Sequence, residues 1–336
     1  MKYAKDTRKE PAFSETADVL MEALPWIKNI TGKTVVIKYG GSAMVDEQLR
    51  ADVMSDIVLL KIIGVNPVII HGGGTAITEA MEKSGFPVEF KNGQRVTTQD
   101  AMDIVKMVLV GKVNQELVAA MNAHGNLGVG VNGADAGTII AEPISEELGR
   151  VGRVTEINAT YLNDLIEDDY VPLVASVGKE DGCGGSLNVN ADLVAGEIAA
   201  AIGAHKIIFL TDVDGLYENF ENKDSLISNM TLFETKYVIE NELVSSGMIP
   251  KLTACVNALE AGVFRAHIIN GTTPHALLLE LLTSTGVGTT MHSTEESCKF
   301  DAHPLGNFAT KLVENRDVAG DLFAYVTEAG RRRAKM

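Results

Sequence analysis

The amino-acid sequence predicts an α/β protein, a three-layer sandwich whose mainly parallel central sheet carries helices on both faces. Apolar runs of β type alternate with stretches of helical period from residue 33 onward, the pattern of parallel strands joined by crossover helices. Two early runs end in glycine clusters, Val35-Val36-Ile37-Lys38-Tyr39-Gly40-Gly41-Ser42 and Val68-Ile69-Ile70-His71-Gly72-Gly73-Gly74. A 336-residue chain that is 46% hydrophobic can also bury the core that two lobes of one sheet require.

The elements follow in order. Residues 1–13 are charged and form no element; Ser14 is placed to cap a helix in which Ala17, Leu20, Met21 and Leu24 recur at helical spacing, and Pro25 should kink or end it. Strand 34–38, helix 46–63, strand 67–71 and helix 76–83 come next. A polar hairpin or loop is expected over 88–97 around Lys91-Asn92-Gly93, then a long helix over 98–123 that breaks near Gly111. Short β segments over 127–158, helix 160–167 and strand 171–175 lead to a Gly-rich loop through Gly182, Gly184 and Gly185 and a helix opening near Asp192. Strand 206–210 ends in Thr211-Asp212-Val213-Asp214-Gly215 and precedes helices 231–243 and 251–263, strand 265–269, helix 275–283 and strand 287–291. From 293 the alternation is lost, leaving a tail with one expected helix over 317–329. No internal repeat is visible. The chain therefore divides into an N-terminal extension with an interface helix (1–32), a lobe over 33–185, a second lobe over 186–292 and a C-terminal tail (293–336).

A formal net charge of −16 argues against nucleic acid and acidic membrane surfaces as partners, since both need a basic face. An anionic substrate must then be held by local positive charge. The basic run Arg331-Arg332-Arg333 with Lys335 reads as a solvated terminus. No apolar stretch is long enough to span a bilayer and the start lacks the apolar centre of a secretory signal, so a cytoplasmic location is expected. Cys183, Cys255 and Cys298 are odd in number and widely spaced, which suits reduced thiols rather than a disulfide framework or zinc knuckle. The seven histidines contain no His-Glu-x-x-His pair, so the expectation is that a metal arrives as nucleotide-bound magnesium and that no residue ligates one.

Three familiar signatures fail their context. Gly32-Lys33-Thr34 mimics the end of a Walker A loop, but Ile27 stands where its first glycine belongs and a strand follows instead of a helix. Gly128, Gly130 and Gly133 spell GxGxxG without a strong strand before or an amphipathic helix after. His71-Gly72-Gly73-Gly74 resembles a lipase oxyanion loop, but no G-x-S-x-G supplies the nucleophile.

The two glycine turns carry a different chemistry. Glycine lets backbone amides approach phosphate oxygens, a following helix adds its positive end, and Lys38 adds a mobile full charge. Turns on neighbouring strands can face one anion from two sides, which is equipment for moving a phosphoryl group.

Lys38 before Gly40-Gly41-Ser42, the triple glycine after His71, Asn188-Val189-Asn190-Ala191-Asp192 and Gly247-Met248-Ile249-Pro250-Lys251 have the order and spacing of the amino acid kinase family. The chain resembles that family over about 15–291, and Lys91-Asn92-Gly93-Gln94-Arg95-Val96-Thr97 resembles its acetylglutamate kinases, in particular the arginine-inhibited branch. The resemblance implies the carbamate kinase-like fold and ATP with Mg2+ as phosphoryl donor to the γ-carboxylate of N-acetyl-L-glutamate, a step of arginine biosynthesis. It implies Lys38 and Lys251 as charges on the transferring group, Asp192 orienting both amines, and Gly73 and Gly74 presenting amides at the junction of phosphoryl group and carboxylate. Arg95 and Asn188 would hold the α-carboxylate end of the acid, while Gly40, Gly41, Thr211, Asp212 and Gly215 would border the nucleotide. Thr75 stands where the family commonly has proline.

The chemistry agrees with that implication. A carboxylate of pKa about 4 is already deprotonated at neutral pH and needs no general base. The obstacle is anion repulsion: at an effective dielectric near 20, unit charges about 4 Å apart repel by roughly 4 kcal/mol. Two lysines and magnesium are a proportionate answer.

The same resemblance implies arginine as a feedback inhibitor, with His267, Glu280 and Gly286 in its binding segment. Glu280 suits a guanidinium or ammonium, though a solvent-facing glutamate on helix 275–283 is the bland alternative. It further implies N-terminal helices that interlace dimers into a hexamer, with Leu20, Leu24 and Trp26 as the sticky face. A PII-type signalling partner is not indicated by any residue. The alternatives are a relative acting on glutamate, aspartate, carbamate or UMP, which the Arg95 context disfavours, and a non-catalytic arginine sensor, which Lys38, Asp192 and Lys251 together disfavour.

Overall fold

Helix α1 (Phe13–Ile30) leads into strand β1 (Thr34–Tyr39), and the alternation expected from sequence follows: α2 (Glu47–Ile62), β2 (Asn66–His71) and α3 (Gly74–Lys83). A short hairpin, β3 (Phe90–Lys91) and β4 (Gln94–Arg95), precedes a long helix built from α4 (Gln99–Lys106), a π-helical stretch (Met107–Asn114) and α5 (Gln115–Asn122). Then come β5 (Gly128–Asn132), β6 (Ile139–Pro143), β7 (Val151–Ile157), α6 (Thr160–Glu167), β8 (Val171–Ala175), β9 (Val177–Glu180), β10 (Ser186–Val189) and α7 (Ala191–Ala201). The remaining elements are β11 (Lys206–Thr211), β12 (Asn229–Thr231), α8 (Leu232–Glu240), α9 (Ile249–Glu260), β13 (Arg265–Asn270), α10 (Ala276–Leu282) and β14 (Thr289–His292). This computed structural model describes residues 13–44, 46–91, 93–182 and 184–293. The charged start, Asn92, Cys183, and the tail with its expected helix over 317–329, Cys298 and the basic run lie outside the described residues.

Eight strands form one sheet in the order β12-β14-β13-β11-β1-β2-β8-β5, and every neighbouring pair is parallel except β13 with β14. Side chains on a strand alternate faces. Thus Val35, Ile37 and Tyr39 pack with Met54, Leu109 and Leu277 on one side, while Val36, Val68 and Ile70 pack with Val194, Ile198 and Leu252 on the other. Burial on both faces explains why these strands read as continuous apolar runs. The register sets Tyr39 beside His71 and Lys38 beside both Ile70 and Phe209, so the two glycine turns emerge next to each other at the C-terminal ends of two interior strands.

Three local readings are corrected and one strand is added. Helix α1 starts at Phe13, so Ser14 lies inside its first turn, and it continues through Pro25 to Ile30. Gly111 does not break the long helix; the chain relaxes into π turns there and resumes. The segment around Gly182, Gly184 and Gly185 is the turn of the hairpin β9–β10 rather than an open loop. Together with β6 and β7 that hairpin closes a small four-stranded barrel, which pairs strands on either side of position 185. Asn229–Thr231, where no strand was expected, forms edge strand β12, and Thr231 caps α8, the helix expected from 231.

Candidate active site

The sequence brings two cations and one carboxylate together through three separate elements. Lys38 lies near the end of β1, Lys251 in the first turn of α9 and Asp192 in the first turn of α7. Asp192 Oδ1 lies 2.8 Å from Lys38 Nζ and Asp192 Oδ2 2.9 Å from Lys251 Nζ. Helix α7 is capped by Asn190, whose Oδ1 accepts from the backbone N–H groups of Asp192 (2.8 Å) and Leu193 (3.2 Å). Asp192 is therefore not the cap, and its carboxylate is free for the lysines. Burial pushes its pKa up, but the charges and hydrogen bonds of Lys38 and Lys251 outweigh that and hold the group below the usual carboxylate range.

Around this triad the glycines have spatial reasons. A Cβ on Gly40 would come within 2.7 Å of Lys38 Nζ, so a side chain there would displace the ammonium. Gly41 has φ +76 and approaches the backbone N of Asp212, which joins the first glycine turn to the end of β11. Gly73 precedes α3; its φ of −178 lies outside the left-handed region, yet a Cβ would meet Leu109 Cδ2 at 2.8 Å and Val113 Cγ2 at 3.3 Å. The π-helical stretch is thus pressed against the triple-glycine turn, while Ala191 at the start of α7 lies on the side of Gly72. A cavity of about 270 Å³ opens among these parts, lined by Lys38, Gly40, Gly41, Gly72–Gly74, Arg50 and, opposite, Lys112, Val113 and Glu116. Lys112 and the Arg50–Glu116 pair were not singled out from sequence.

Arg95 is buried at the end of β4. Its guanidinium donates to Gly74 O (2.9 Å) and Thr78 Oγ1 (2.7 Å) and lies 4.7 Å over the Phe90 ring. No carboxylate pairs with it among the described residues, and burial lowers its pKa. Asn188, on barrel strand β10, donates to Thr97 Oγ1 at 3.3 Å, and that hydroxyl donates to Arg95 O. The backbone of Arg150 links the same strands, donating to Thr97 O (2.6 Å) and accepting from Asn188 N (2.9 Å). Arg95 and Asn188 therefore share one network around Thr97, attached to the second glycine turn through Gly74; neither lines the cavity, nor does Lys251.

The residues expected at the nucleotide are less gathered. Thr211 ends β11 and donates to Asp212 Oδ1 at 3.1 Å. Gly215 has φ +156, and a Cβ there would lie 2.4 Å from Thr289 Oγ1, so close packing on β14 accounts for this glycine. Asp214 carries the polar bonding of the loop: it accepts from Tyr217 Oη and, at 2.8 Å, from Asn270 Nδ2.

Away from the cavity, His267 (β13), Glu280 (α10) and Gly286 form a second cluster. His267 Nδ1 lies 2.6 Å from Glu280 Oε1, and Glu280 Oε2 accepts from the N–H groups of Val287 (2.7 Å) and Gly288 (3.2 Å). A Cβ on Gly286 would sit 2.8 Å from Glu280 Oε2. Glu280 is buried, not solvent-facing. Burial would raise its pKa, but the hydrogen bonds from His267, Val287 and Thr290 hold it charged below its usual range, while burial keeps His267 neutral. Lys206, unremarked from sequence, is buried on the same sheet face, its pKa lowered to about 8 by burial and by Arg265.

Comparison with known proteins fits this geometry. Residues 33–270 match the amino acid kinase family. The chain is 49% identical over 81% of its length to an acetylglutamate kinase from Caldanaerobacter subterraneus, covering 92% of that protein. It is 47% identical over 83% of its length to an acetylglutamate kinase from Nostoc sp., covering 94% of that protein. Among solved structures, a carbamate kinase from Giardia lamblia superposes with a TM-score of 0.60 over 78% of this chain and 99% of that one at 17% identity, a likeness of fold. With these matches and the doubly covered parallel sheet, the chain belongs to the amino acid kinase family and, within it, to the acetylglutamate kinases.

Proposed function

We propose that the protein transfers the γ-phosphoryl group of ATP to the γ-carboxylate of N-acetyl-L-glutamate, releasing ADP and N-acetyl-L-glutamyl 5-phosphate for arginine biosynthesis in the cytoplasm. The observation that carries this reading is the convergence of Lys38 and Lys251 on Asp192 beside two glycine turns. In the resting state the carboxylate neutralises and aims both ammonium groups. When substrates enter, each ammonium turns part of its hydrogen bonding to phosphoryl oxygens, offsetting repulsion between phosphate and carboxylate. Gly73 and Gly74 donate amides to the oxygens between donor and acceptor. Arg95, a buried cation whose partners are neutral, supplies the charge for the α-carboxylate, and Asn188 orients the same end. Gly40, Gly41, Thr211, Asp212 and Gly215 border the nucleotide. Magnesium enters on the nucleotide phosphates, with no residue assigned to it. Residues 33–185 and 186–292 act as the acid-binding and nucleotide-binding lobes.

Acetylation of the substrate has a chemical purpose, because a free amine could attack its own activated carboxyl and close a ring. The test is incubation with magnesium ATP and, separately, acetylglutamate, glutamate, aspartate, carbamate and UMP, with hydroxylamine trapping of acyl phosphate and measurement of ADP. Product from acetylglutamate alone is expected. Product from another acid, or none, removes the reading.

Arginine feedback inhibition belongs to this reading. Its support is the meeting of His267, Glu280 and Gly286, with a charged, buried carboxylate at the centre, borne on α10, the helix that α1 packs against. The assembly proposed with it is a hexamer of three dimers joined through α1. Inhibition by arginine that disappears in Glu280→Gln, with the uninhibited rate retained, is the expected result.

A further inference from the structure

His71, the last residue of β2, is fully buried directly before the triple glycine, and the reading of Gly73 and Gly74 gives it no part. Its ring sits in a chain of hydrogen bonds whose direction is determined. Nδ1 lies 3.0 Å from Gly72 O, and a carbonyl can only accept, so Nδ1 carries the proton. Nε2 lies 2.9 Å from Asn114 Nδ2, which also donates to Leu173 O at 2.7 Å. The second contact identifies the Asn114 nitrogen as the donor, and Nε2 therefore accepts. Asn114 closes the π-helical stretch whose Leu109 and Val113 press on Gly73. One neutral imidazole thus ties the carbonyl between the first two glycines to β8 and to the wall behind the loop.

We propose that His71 is a positioning residue for phosphoryl transfer: its Nδ1–H fixes the Gly72 carbonyl, and through it the direction of the Gly73 amide, with Asn114 holding the ring in the required tautomer. The inference rests on the reading that this amide faces the reacting groups. A peptide carbonyl and the following amide belong to one plane, so holding Gly72 O on the imidazole side turns the Gly73 N–H to the opposite side. In a glycine run the backbone would otherwise sample other orientations, and a misaimed donor loses most of its value at a developing charge. Burial also keeps the ring neutral, with its pKa lowered to about 4, so the clamp persists across the working pH range.

Two near-isosteric variants separate this from a purely structural role. In His71→Asn the amide can stand near the place of Nδ1 and still donate to Gly72 O. In His71→Gln the amide reaches the place of Nε2 and can meet Asn114 but not Gly72 O. With rates normalised to folded protein, kcat of the Gln variant should be about tenfold or more below that of the Asn variant, while KM for ATP differs by less than about threefold. Equal kcat values, or the reverse order, overturn the proposal. Neutron diffraction of the unmodified protein provides the measurement that needs no variant: a deuteron on Nδ1 and none on Nε2 is expected, and a deuteron on Nε2 overturns the clamp. If the unmodified protein forms no acyl phosphate from acetylglutamate, the functional reading fails instead, and the kinetic comparison is made with the acid that does react.

Discussion

At the scale of single residues, Asp192 has the most to explain, because one buried carboxylate serves two ammonium groups. Removing one partner of a buried ion pair leaves the other uncompensated, so Asp192→Asn should cost about 3 kcal/mol or more in denaturant unfolding. It should also lower kcat about a hundred-fold, by leaving both lysines without a common reference. Lys38→Ala should reduce kcat by a similar factor with a much smaller change in KM for acetylglutamate, because its charge is proposed to act on the phosphoryl group. Near-normal turnover of either variant would remove the assigned roles. The pH dependence follows from direction. Asp192 has its folded pKa below its ordinary value, so its contribution to stability is complete above about 4 and is lost as pH falls through the lower folded value. His71 acts earlier on the same descent: the unfolded chain takes a proton near 6.5 that the folded ring refuses until about 4. Stability should therefore drop by about 3 kcal/mol between those pH values from His71 alone, and His71→Asn should lack that part of the slope in unfolding curves. That Lys38, Asp192 and Lys251 meet was expected from the family resemblance their motifs carry together, not from any one of the residues singly. The meeting of His71 and Asn114 was not legible: 43 residues separate them, and only the packing of the long helix against β2 joins them.

At the scale of elements, alternation made most strands and helices legible, since burial on both faces leaves uninterrupted Val and Ile runs between helical stretches. The misread elements are those where tertiary packing overrides a local breaker. Pro25 in α1 removes one N–H but does not end the helix, and Gly111 is absorbed by π turns. The π-helical stretch has a consequence at the second glycine turn, because it brings Leu109 and Val113 against Gly73. Gly73→Ala needs no left-handed φ, and the close contacts dominate its cost: either the leucine and valine retreat or the turn moves. We expect a loss of about 1–3 kcal/mol in stability from overpacking, together with a fall in kcat, which Leu109→Ala should partly recover in the double variant. Equal kcat in Gly73→Ala and the unmodified protein would show that the turn does not need its present place. The barrel strands β9 and β10 escaped the sequence reading because each is four residues long and the glycines between them mimic an open loop.

At the scale of the whole molecule, a net charge of −16 surrounds a site built from Lys38, Lys251 and Arg95, so local cations must overcome a repulsive background to admit ATP and a dicarboxylate. Salt should accordingly lower KM for ATP at low ionic strength by screening that background, before it weakens the lysine contacts. The other large-scale feature is α1, which packs on α10 on one side and on the other exposes Leu20 at 66% and Leu24 at 52%, flanked by Val19 and Met21. Trp26, expected on the same sticky face, is only half-buried. Four large apolar side chains clustered over two turns of one helix are costly in water and suit a second apolar surface, which supports the interlaced hexamer. Sedimentation of the unmodified protein should give a hexamer, and Leu20→Glu with Leu24→Glu should give dimers, because a charge on each turn cannot be buried without a partner. If arginine acts by stiffening the α1–α10 contact, those dimers should phosphorylate acetylglutamate at the unmodified rate while losing most of their response to arginine. Dimers from the unmodified chain would exclude α1 as the joint. Full arginine response in the double variant would instead confine regulation to Glu280 and its neighbours within one subunit.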